Sequence, residues 1–227
     1  MNVIAHIETP FREKFGVPRQ AGLVDYEARI VFEPEYRVAE AVRGLEDFEY
    51  IWLIWQFHLA EREEWSPTVR PPRLGGNHRV GVFATRSPFR PNSIGLSSVR
   101  LLRIEPGPVL VVSGADLVDG TPILDIKPYI PYADSHPDAS AGFAQHAPSP
   151  LKVDIPQHLL DIIAPQHMQA VTETLAGDPR PHYHNDQNRL YAVCFTPYEL
   201  HFRVVGDTVK VEKVVLNKVK TATKHHS

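Results

Sequence analysis

The sequence predicts a mostly β protein with a smaller α+β domain towards its C-terminus, and three observations support this fold class. Between residues 80 and 130, short β-branched and aliphatic runs are separated by Pro-Gly, Asp-Gly and similar turn pairs. After Pro131 the composition changes to Ala, Ser, Pro, His and Asp, which indicates a linker up to about residue 150. A helical apolar pattern and three more β-type runs then follow. We therefore expect an all-β domain over residues 1–140 and an α+β domain over residues 150–227.

In the N-terminal part, breaker residues mark where each predicted element ends. The first apolar run stops before Pro10, and Gly16, Pro18 and Gly22 then keep the chain irregular. Gly44 is placed to end a short amphipathic helix. The predicted elements are a strand over residues 3–8, an irregular segment over 11–23, a helix over 35–42 and a buried strand over 50–58.

The later elements are predicted from the same kinds of signal. Pro156 is typical of a helix start and Gly177 of a helix end, and the apolar residues between them fit two consecutive helices. Gly206 and Asp207 separate two β-type runs and predict a hairpin. The predicted strands cover residues 80–85, 94–104, 109–114 and 122–130 in the first domain, and 190–195, 200–205 and 209–216 in the second.

Composition excludes several classes of protein. The 43% hydrophobic and 22% charged residues are typical of a soluble globular chain. We expect no export signal and no membrane segment, because the apolar stretches are too short for either. The one cysteine, Cys194, cannot form an intramolecular disulfide and favours a reducing compartment. These observations predict a cytoplasmic protein.

Although the formal net charge is −3, the segment from Trp65 to Ile104 contains no Asp or Glu. A cationic block of this kind favours contacts with nucleic acid phosphates, and the Lys-rich tail from Lys210 onward extends the same pattern. The alternative is a solvated face whose acidic partners come from elsewhere in the fold. The arginines of the block are Arg70, Arg73, Arg79, Arg86, Arg90, Arg100 and Arg103.

One segment of the block, GVFATRSPFRPNSIGLS at residues 81–97, is unlike ordinary structural sequence. Pro88 and Pro91 stiffen a loop that carries Arg86, Arg90 and Asn92. Guanidinium and amide groups held in place in this way suit the recognition of phosphate, carboxylate or carbonyl groups.

A second segment of this kind is DLVDGTPILDIKPYIP at residues 116–131. It places Asp116, Asp119 and Asp125 close in sequence to Lys127 and Tyr129, and so mixes hydrogen-bond acceptors with a cation and a phenol. The structural alternative is a simple turn at the Asp-Gly pair.

The two segments, together with VPRQAGL at residues 17–23 and RPPRLGGN at residues 70–77, resemble the bacterial TrmO family, formerly called TsaA-like or YaeB. The resemblance covers about residues 1–150 motif by motif, and the remaining tail has the length and element order of the bacterial members. It implies a closed single β-barrel that binds S-adenosylmethionine. It also implies a homodimer that methylates N6 of threonylcarbamoyladenosine beside the tRNA anticodon. The sequence departs from the family pattern at Ser93, where Arg-Pro-Asn is usually followed by Pro.

Two sets of site residues follow: one is chosen from the chemistry of the substrate, and the other, the cofactor pocket, is implied position by position by the resemblance. Arg90, Asn92, Lys127 and Tyr129 are the candidates for contacting the threonylcarbamoyl carboxylate and carbonyl groups of the substrate. The residues expected to bind S-adenosylmethionine are Pro18, Arg19, Gln20, His58, Leu59, Arg86, Leu96, Asp116, Leu117, Val118, Asp119 and Gly120.

The sequence leaves room for other functions. The rival from another class is a noncatalytic tRNA-binding barrel module, which would bind RNA without the cofactor. A metal site at His182, His184, His225 and His226 is disfavoured, because no Cys pair or HExxH spacing accompanies them. A doubly wound nucleotide-binding fold is disfavoured because no third glycine or βαβ pattern accompanies Gly75 and Gly76.

The sequence predicts a core position for one tryptophan and a nucleobase contact for another. We expect Trp52 to lie in the core, because it falls within the strand pattern of residues 50–58. Trp65 lies outside that pattern and is the better candidate for stacking on a base.

Overall fold

The computed structural model describes residues 1–59, 65–71, 74, 78–180 and 186–217. Within these residues the chain forms twelve strands and three α-helices, together with short 3-10 turns. The helices are α1 (Pro131–Asp134), α2 (Gln157–Leu160) and α3 (Pro165–Ala176). The strands are β1 (Ala5–Glu8), β2 (Glu27–Phe32), β3 (Tyr50–Gln56), β4 (Thr68–Val69), β5 (Val80–Gly81), β6 (Ile94–Glu105), β7 (Val109–Ser113), β8 (Pro122–Pro128), β9 (Lys152–Asp154), β10 (Tyr191–Phe195), β11 (Tyr198–Val205) and β12 (Thr208–Leu216).

Six strands close an antiparallel barrel in the order β1-β2-β7-β6-β3-β8. The two-residue period of a strand directs alternate side chains into the barrel, as β3 shows. Ile51, Leu53 and Trp55 of this strand are buried, whereas Trp52 and Ile54 lie on its other face and are partly exposed. The prediction of a closed β-barrel with a smaller second domain is confirmed, but the prediction that Trp52 lies in the core is wrong. The strand period places Trp55 inside the barrel instead.

The second sheet has the order β10-β11-β12-β9, and its β9 strand pairs in parallel with β12. The predicted hairpin is present, with Gly206 at a φ of +62° in the turn between β11 and β12. Helix α3 packs on this sheet through Val171 and Leu175, which are fully buried. The sequence patterns gave no signal for β9, because only Val153 of its three residues is apolar and the strand is stabilised by its long-range partner.

The barrel and the second sheet share one core, although the chain between them is exposed from residue 131 to residue 150. The rings of Phe11 and Phe195 meet edge to face at 5.4 Å, and Tyr26 packs edge to face on Phe11 at 5.2 Å. The backbone N–H of Thr196 also donates to the carbonyl of Pro10 at 2.8 Å. The segment that follows β1 is therefore held between the two sheets.

Two local predictions differ from the structure, and one strand of the barrel has no counterpart among the predictions. Residues 35–42 form 3-10 turns rather than an amphipathic helix, because Val42 is buried while Val38 stays half-exposed, so no apolar face forms. The predicted strand over residues 80–85 ends after Gly81 and becomes a 3-10 turn. Strand β2 was not predicted, although Ala28, Ile30 and Phe32 alternate with polar residues and point into the barrel.

Candidate functional site

A cavity of about 730 Å³ opens at the rim of the barrel. This volume suits a small-molecule ligand, because such sites commonly enclose several hundred cubic ångströms. Its walls come from the loop after β1, the end of β3, the loop before β6, strand β6 itself and the loop after β7. Ten of the residues predicted for the site line the cavity: Pro18, Arg19, Gln20, His58, Leu59, Arg86, Arg90, Leu96, Asp116 and Val118.

A largely buried carboxylate, that of Asp116, lines the cavity. The hydroxyl of Ser97 donates to Asp116 Oδ1, and the indole Nε1 of Trp55 donates to the Ser97 hydroxyl at 2.9 Å. Gly95 gives the indole room, since a Cβ at this position would lie 2.2 Å from the Trp55 ring. Two neighbouring strands and a loop therefore fix the orientation of one buried carboxylate.

Burial is the largest influence on the protonation of this carboxylate. It raises the pKa of Asp116 above its usual range, because the charged form loses solvation. The Ser97 hydrogen bond and the positive charge of Arg86 act in the opposite direction and offset part of that rise. A carboxylate of this kind is suited to a cationic or hydrogen-bond-donating ligand.

Two adjacent side chains hold the loop that carries Pro18, Arg19 and Gln20. Arg86 donates to the side-chain oxygen of Gln20, which links this loop to the loop before β6. The guanidinium of Arg19 donates to the backbone carbonyls of Asp178 at 2.9 Å and Arg180 at 3.1 Å. Arg19 is therefore directed to the turn that follows α3, and the second domain supports this wall of the cavity.

Three of the predicted cofactor residues lie beside the cavity rather than on its wall. Leu117 is buried in the barrel core. The carboxylate of Asp119 accepts from the backbone N–H of Thr9 at 2.9 Å. Gly120 has a φ of +76° and closes the turn before β8. The turn expected at Asp119-Gly120 is present, and it fixes the backbone that follows Asp116.

The four predicted substrate residues occupy different positions relative to the cavity. Arg90 lines the cavity, and its Nη1 donates to the Thr85 carbonyl at 2.7 Å, which braces its own loop. Asn92 is exposed in the same loop. Lys127 forms an ion pair with Asp125 at 2.8 Å. The ring of Tyr129 packs on Trp52 at 5.5 Å, and Trp52 itself lines the cavity.

The sequence patterns did not single out several residues of the cavity wall. Ser97 and Trp55 are essential to the orientation of Asp116, and Lys14, Phe57 and Thr85 also line the cavity. A buried Ser on the inward face of an apolar strand is the signal that points to Ser97.

The cationic block divides into two parts. Arg100 pairs with Glu49 at 3.1 Å, and Arg103 pairs with Glu27 at 2.9 Å, so the solvated-face interpretation is correct for these two. Within the part of the chain that the structure describes, no carboxylate lies at salt-bridge distance from Arg79, Arg86 or Arg90. Arg73 lies outside the described residues.

Metal and membrane features can be assessed for the described ranges only. In these ranges, no three His, Cys, Asp or Glu side chains cluster as metal ligands do. The histidines weighed as ligands, His182, His184, His225 and His226, fall outside them. Over the same ranges, no helix has both the length and the apolar character that crossing a membrane requires.

The fold and the site together define a ligand-binding β-barrel protein whose cavity contains an oriented carboxylate and has Arg86 and Arg90 on its wall. Comparison with known protein families narrows this class. Residues 6–135 match the tRNA-methyltransferase O N-terminal domain, and residues 148–217 match the TrmO C-terminal domain. The chain belongs to the TrmO family.

Individual relatives agree with this assignment. The chain is 45% identical over 214 residues to a tRNA (adenine(37)-N6)-methyltransferase of Escherichia coli, and the aligned region covers 88% of this chain and 91% of the relative. It is 44% identical over 171 residues to a protein of the same name from Eikenella corrodens, covering 74% of this chain and 97% of the relative. A crystal structure of TrmO from Pseudomonas aeruginosa aligns with a TM-score of 0.76 at 34% identity, over 94% of this chain and 96% of that chain.

Proposed function

We propose that this chain is an S-adenosylmethionine-dependent tRNA adenine-N6 methyltransferase. The observation that carries the proposal is the rim cavity of a TrmO-family barrel, which contains the oriented carboxylate of Asp116. The alignments with the relatives named tRNA (adenine(37)-N6)-methyltransferase from Escherichia coli and Eikenella corrodens span most of each relative's length, so the proposal extends to the whole protein. The finer proposal is that the acceptor is N6 of threonylcarbamoyladenosine beside the anticodon.

The cavity fits S-adenosylmethionine in size and in chemistry. Its volume of about 730 Å³ accommodates a nucleoside with an amino acid arm. We propose that Asp116 accepts from a ribose hydroxyl or an amino group and that the guanidinium of Arg86, on the same cavity wall, binds the carboxylate of the ligand. Leu96 and Phe57 supply apolar wall for the uncharged part of the ligand. When bound, S-adenosylmethionine supplies an activated methyl group.

Catalysis by this chain is proposed to depend mainly on positioning, because the methyl donor is already activated. Arg90, Asn92, Lys127 and Tyr129 are proposed to bind the carboxylate and carbonyl groups of the threonylcarbamoyl substituent. The N–H of this urea-like group is more acidic than that of adenine, so an oriented acceptor is sufficient to take its proton. Trp52 and Leu96 supply apolar surface beside the reacting groups.

The tRNA is proposed to bind over the cationic part of the rim. Arg70 and Arg79 are the described candidates for contacting phosphates of the anticodon stem-loop. Replacing Arg79 with Ala should weaken tRNA binding and reduce its dependence on salt concentration. Replacing Arg100, which is paired with Glu49, is the matched control and should change neither. Equal salt dependence of the two variants would contradict this placement.

We also propose that the protein is a homodimer in the cytoplasm. A second subunit would help to enclose a bulky modified nucleotide that one rim cavity leaves open to solvent. The single cysteine, Cys194, is a free thiol, which suits a reducing compartment. Light scattering on the purified protein tests the dimer, and a monomer with full activity would rule it out.

The function itself is tested by calorimetric titration with S-adenosylmethionine, followed by methyl transfer to tRNA with and without the threonylcarbamoyl group. We expect saturable cofactor binding and methylation of the modified tRNA alone. Binding of tRNA without any cofactor signal would instead indicate a noncatalytic tRNA-binding module.

A further inference from the structure

Two large aromatic side chains are exposed together beside the cavity. The indole of Trp65 and the ring of Phe83 are stacked, with centroids 6.3 Å apart and an interplanar angle of 29°. Trp65 is 51% exposed and Phe83 is 71% exposed. Exposure of two adjacent aromatic rings is costly in water, and such pairs commonly mark a binding surface.

The backbone holds the two rings in place. Trp65 precedes β4, Phe83 follows β5, and these two strands pair through Thr68 with Gly81 and Val69 with Val80. The N–H of Val82 donates to the carbonyl of Pro67 at 3.0 Å, and the side chain of Val82 is buried beneath the turn. These contacts fix the turn that carries Phe83 and the strand that follows Trp65, which reduces the entropy lost when a ligand stacks on the rings.

The surroundings of the pair are cationic. The guanidinium carbon of Arg90 lies 5.8 Å from the centroid of the Phe83 ring. Arg86 and Arg90, which share a loop with Phe83, both line the cavity, so the rings lie next to its opening. The aromatic surface and the cofactor cavity are thus two parts of one continuous region.

We propose that Trp65 and Phe83 form a stacking platform for an unpaired nucleobase next to the methylated nucleotide. The proposal rests on the function proposed above, and it adds a second nucleotide to the recognised substrate. Every base has an apolar face that stacks on aromatic rings, and its backbone phosphate complements the neighbouring arginines. A symmetric contact with a second copy fits less well, because it would bring this cationic surface against itself.

The platform is tested with an anticodon stem-loop RNA that carries 2-aminopurine beside the target adenosine. Stacking quenches the fluorescence of this base, so we expect the wild-type protein to quench it on binding. The labelled RNA should bind the wild type with the same affinity as the unlabelled RNA. We expect Trp65→Ala and Phe83→Ala to lose the quenching and to weaken RNA binding about tenfold. Trp65→Phe and Phe83→Tyr keep a stacking ring and should stay close to wild type. The matched control is Phe143→Ala, which removes a half-exposed ring in the chain between the two domains.

The results separate the platform from the function on which it rests. Affinity for S-adenosylmethionine should be unchanged in both alanine variants, because neither ring lines the cavity. If these variants quench and bind RNA like the wild type while the wild type methylates tRNA, the platform is wrong and the function stands. If the wild type neither binds nor methylates tRNA, the function fails first. A change of oligomeric state in Trp65→Ala or Phe83→Ala would overturn the proposal by assigning the rings to a subunit contact.

Discussion

Replacing Gly95 with Ala should disturb the candidate site without removing any of its functional groups. The new Cβ would lie 2.2, 2.4 and 2.6 Å from three atoms of the Trp55 ring, where ordinary contacts begin near 3.4 Å. The indole must therefore move by about 1 Å, and overpacking of this kind costs about 1–3 kcal/mol. The movement also breaks the hydrogen bond from Trp55 to Ser97, which contributes about 1 kcal/mol. A loss of about 2–4 kcal/mol in the free energy of unfolding follows.

Thermal unfolding measures this loss, and the melting temperature should fall by about 5–15 °C for a chain of this size. Calorimetric titration should show weaker binding of S-adenosylmethionine, because Ser97 no longer holds Asp116 in place. The matched control is Gly81→Ala, whose Cβ would meet no atom within 4 Å. A melting temperature for Gly95→Ala within about 1 °C of that control would refute the packing argument.

Three further substitutions test the site and its support. The first is Asp116→Asn. The folded wild type holds the Asp116 proton more tightly than the unfolded chain, so its free energy of unfolding should fall as pH rises from the usual pKa of Asp to the raised pKa. Unfolding measured as a function of pH should show this fall in the wild type and not in the variant. Affinity for the cationic S-adenosylmethionine should rise over the same window in the wild type and stay flat in the variant; parallel profiles would exclude this role. Arg19→Ala removes two hydrogen bonds to the second domain and should weaken cofactor binding severalfold, whereas an affinity equal to wild type would mean that the loop needs no such anchor. Gly16→Ala places a Cβ 2.1 Å from Val193 and should lower the free energy of unfolding, measured by chemical denaturation, by about 3 kcal/mol. Its control is Gly22→Ala, which has a similar positive φ but open space and should lose about 1 kcal/mol. Equal losses would show that backbone strain, and not the contact with Val193, sets the cost.

The sequence predicts the elements whose signal is local. The hairpin at Gly206 and Asp207 and the alternating strands of the barrel follow from turn chemistry and burial period. Residues 35–42 fail as a helix because helical spacing alone cannot show that Val38 has no core to pack against. Strand β9 exists only through its partner β12, which is far away in the sequence.

For the candidate site, the sequence predicts which residues line the cavity but not the contacts that orient them. The residues carried over from the family motifs line the cavity for the most part, yet the sequence does not show how they are oriented. The contact of Ser97 with Asp116 joins β6 to a loop, and that of Arg19 with Asp178 joins two domains. Such contacts depend on the tertiary fold, so no local pattern predicts that Arg19 ties the loop to the second domain.

The shared core of the barrel and the second sheet has a consequence for how the chain can be cut. Phe11, Tyr26 and Phe195 join the two sheets directly, whereas the exposed chain from residue 131 to residue 150 contributes nothing to the core. A protease that cleaves this exposed stretch should leave two fragments that stay bound and melt as one unit. The barrel expressed alone should be less stable than the cleaved protein, because Phe11 would be exposed and the loop around Arg19 would lose its contacts with the second domain. The second domain thus supports one wall of the cavity through Arg19, although the residues that line the cavity all belong to the barrel domain.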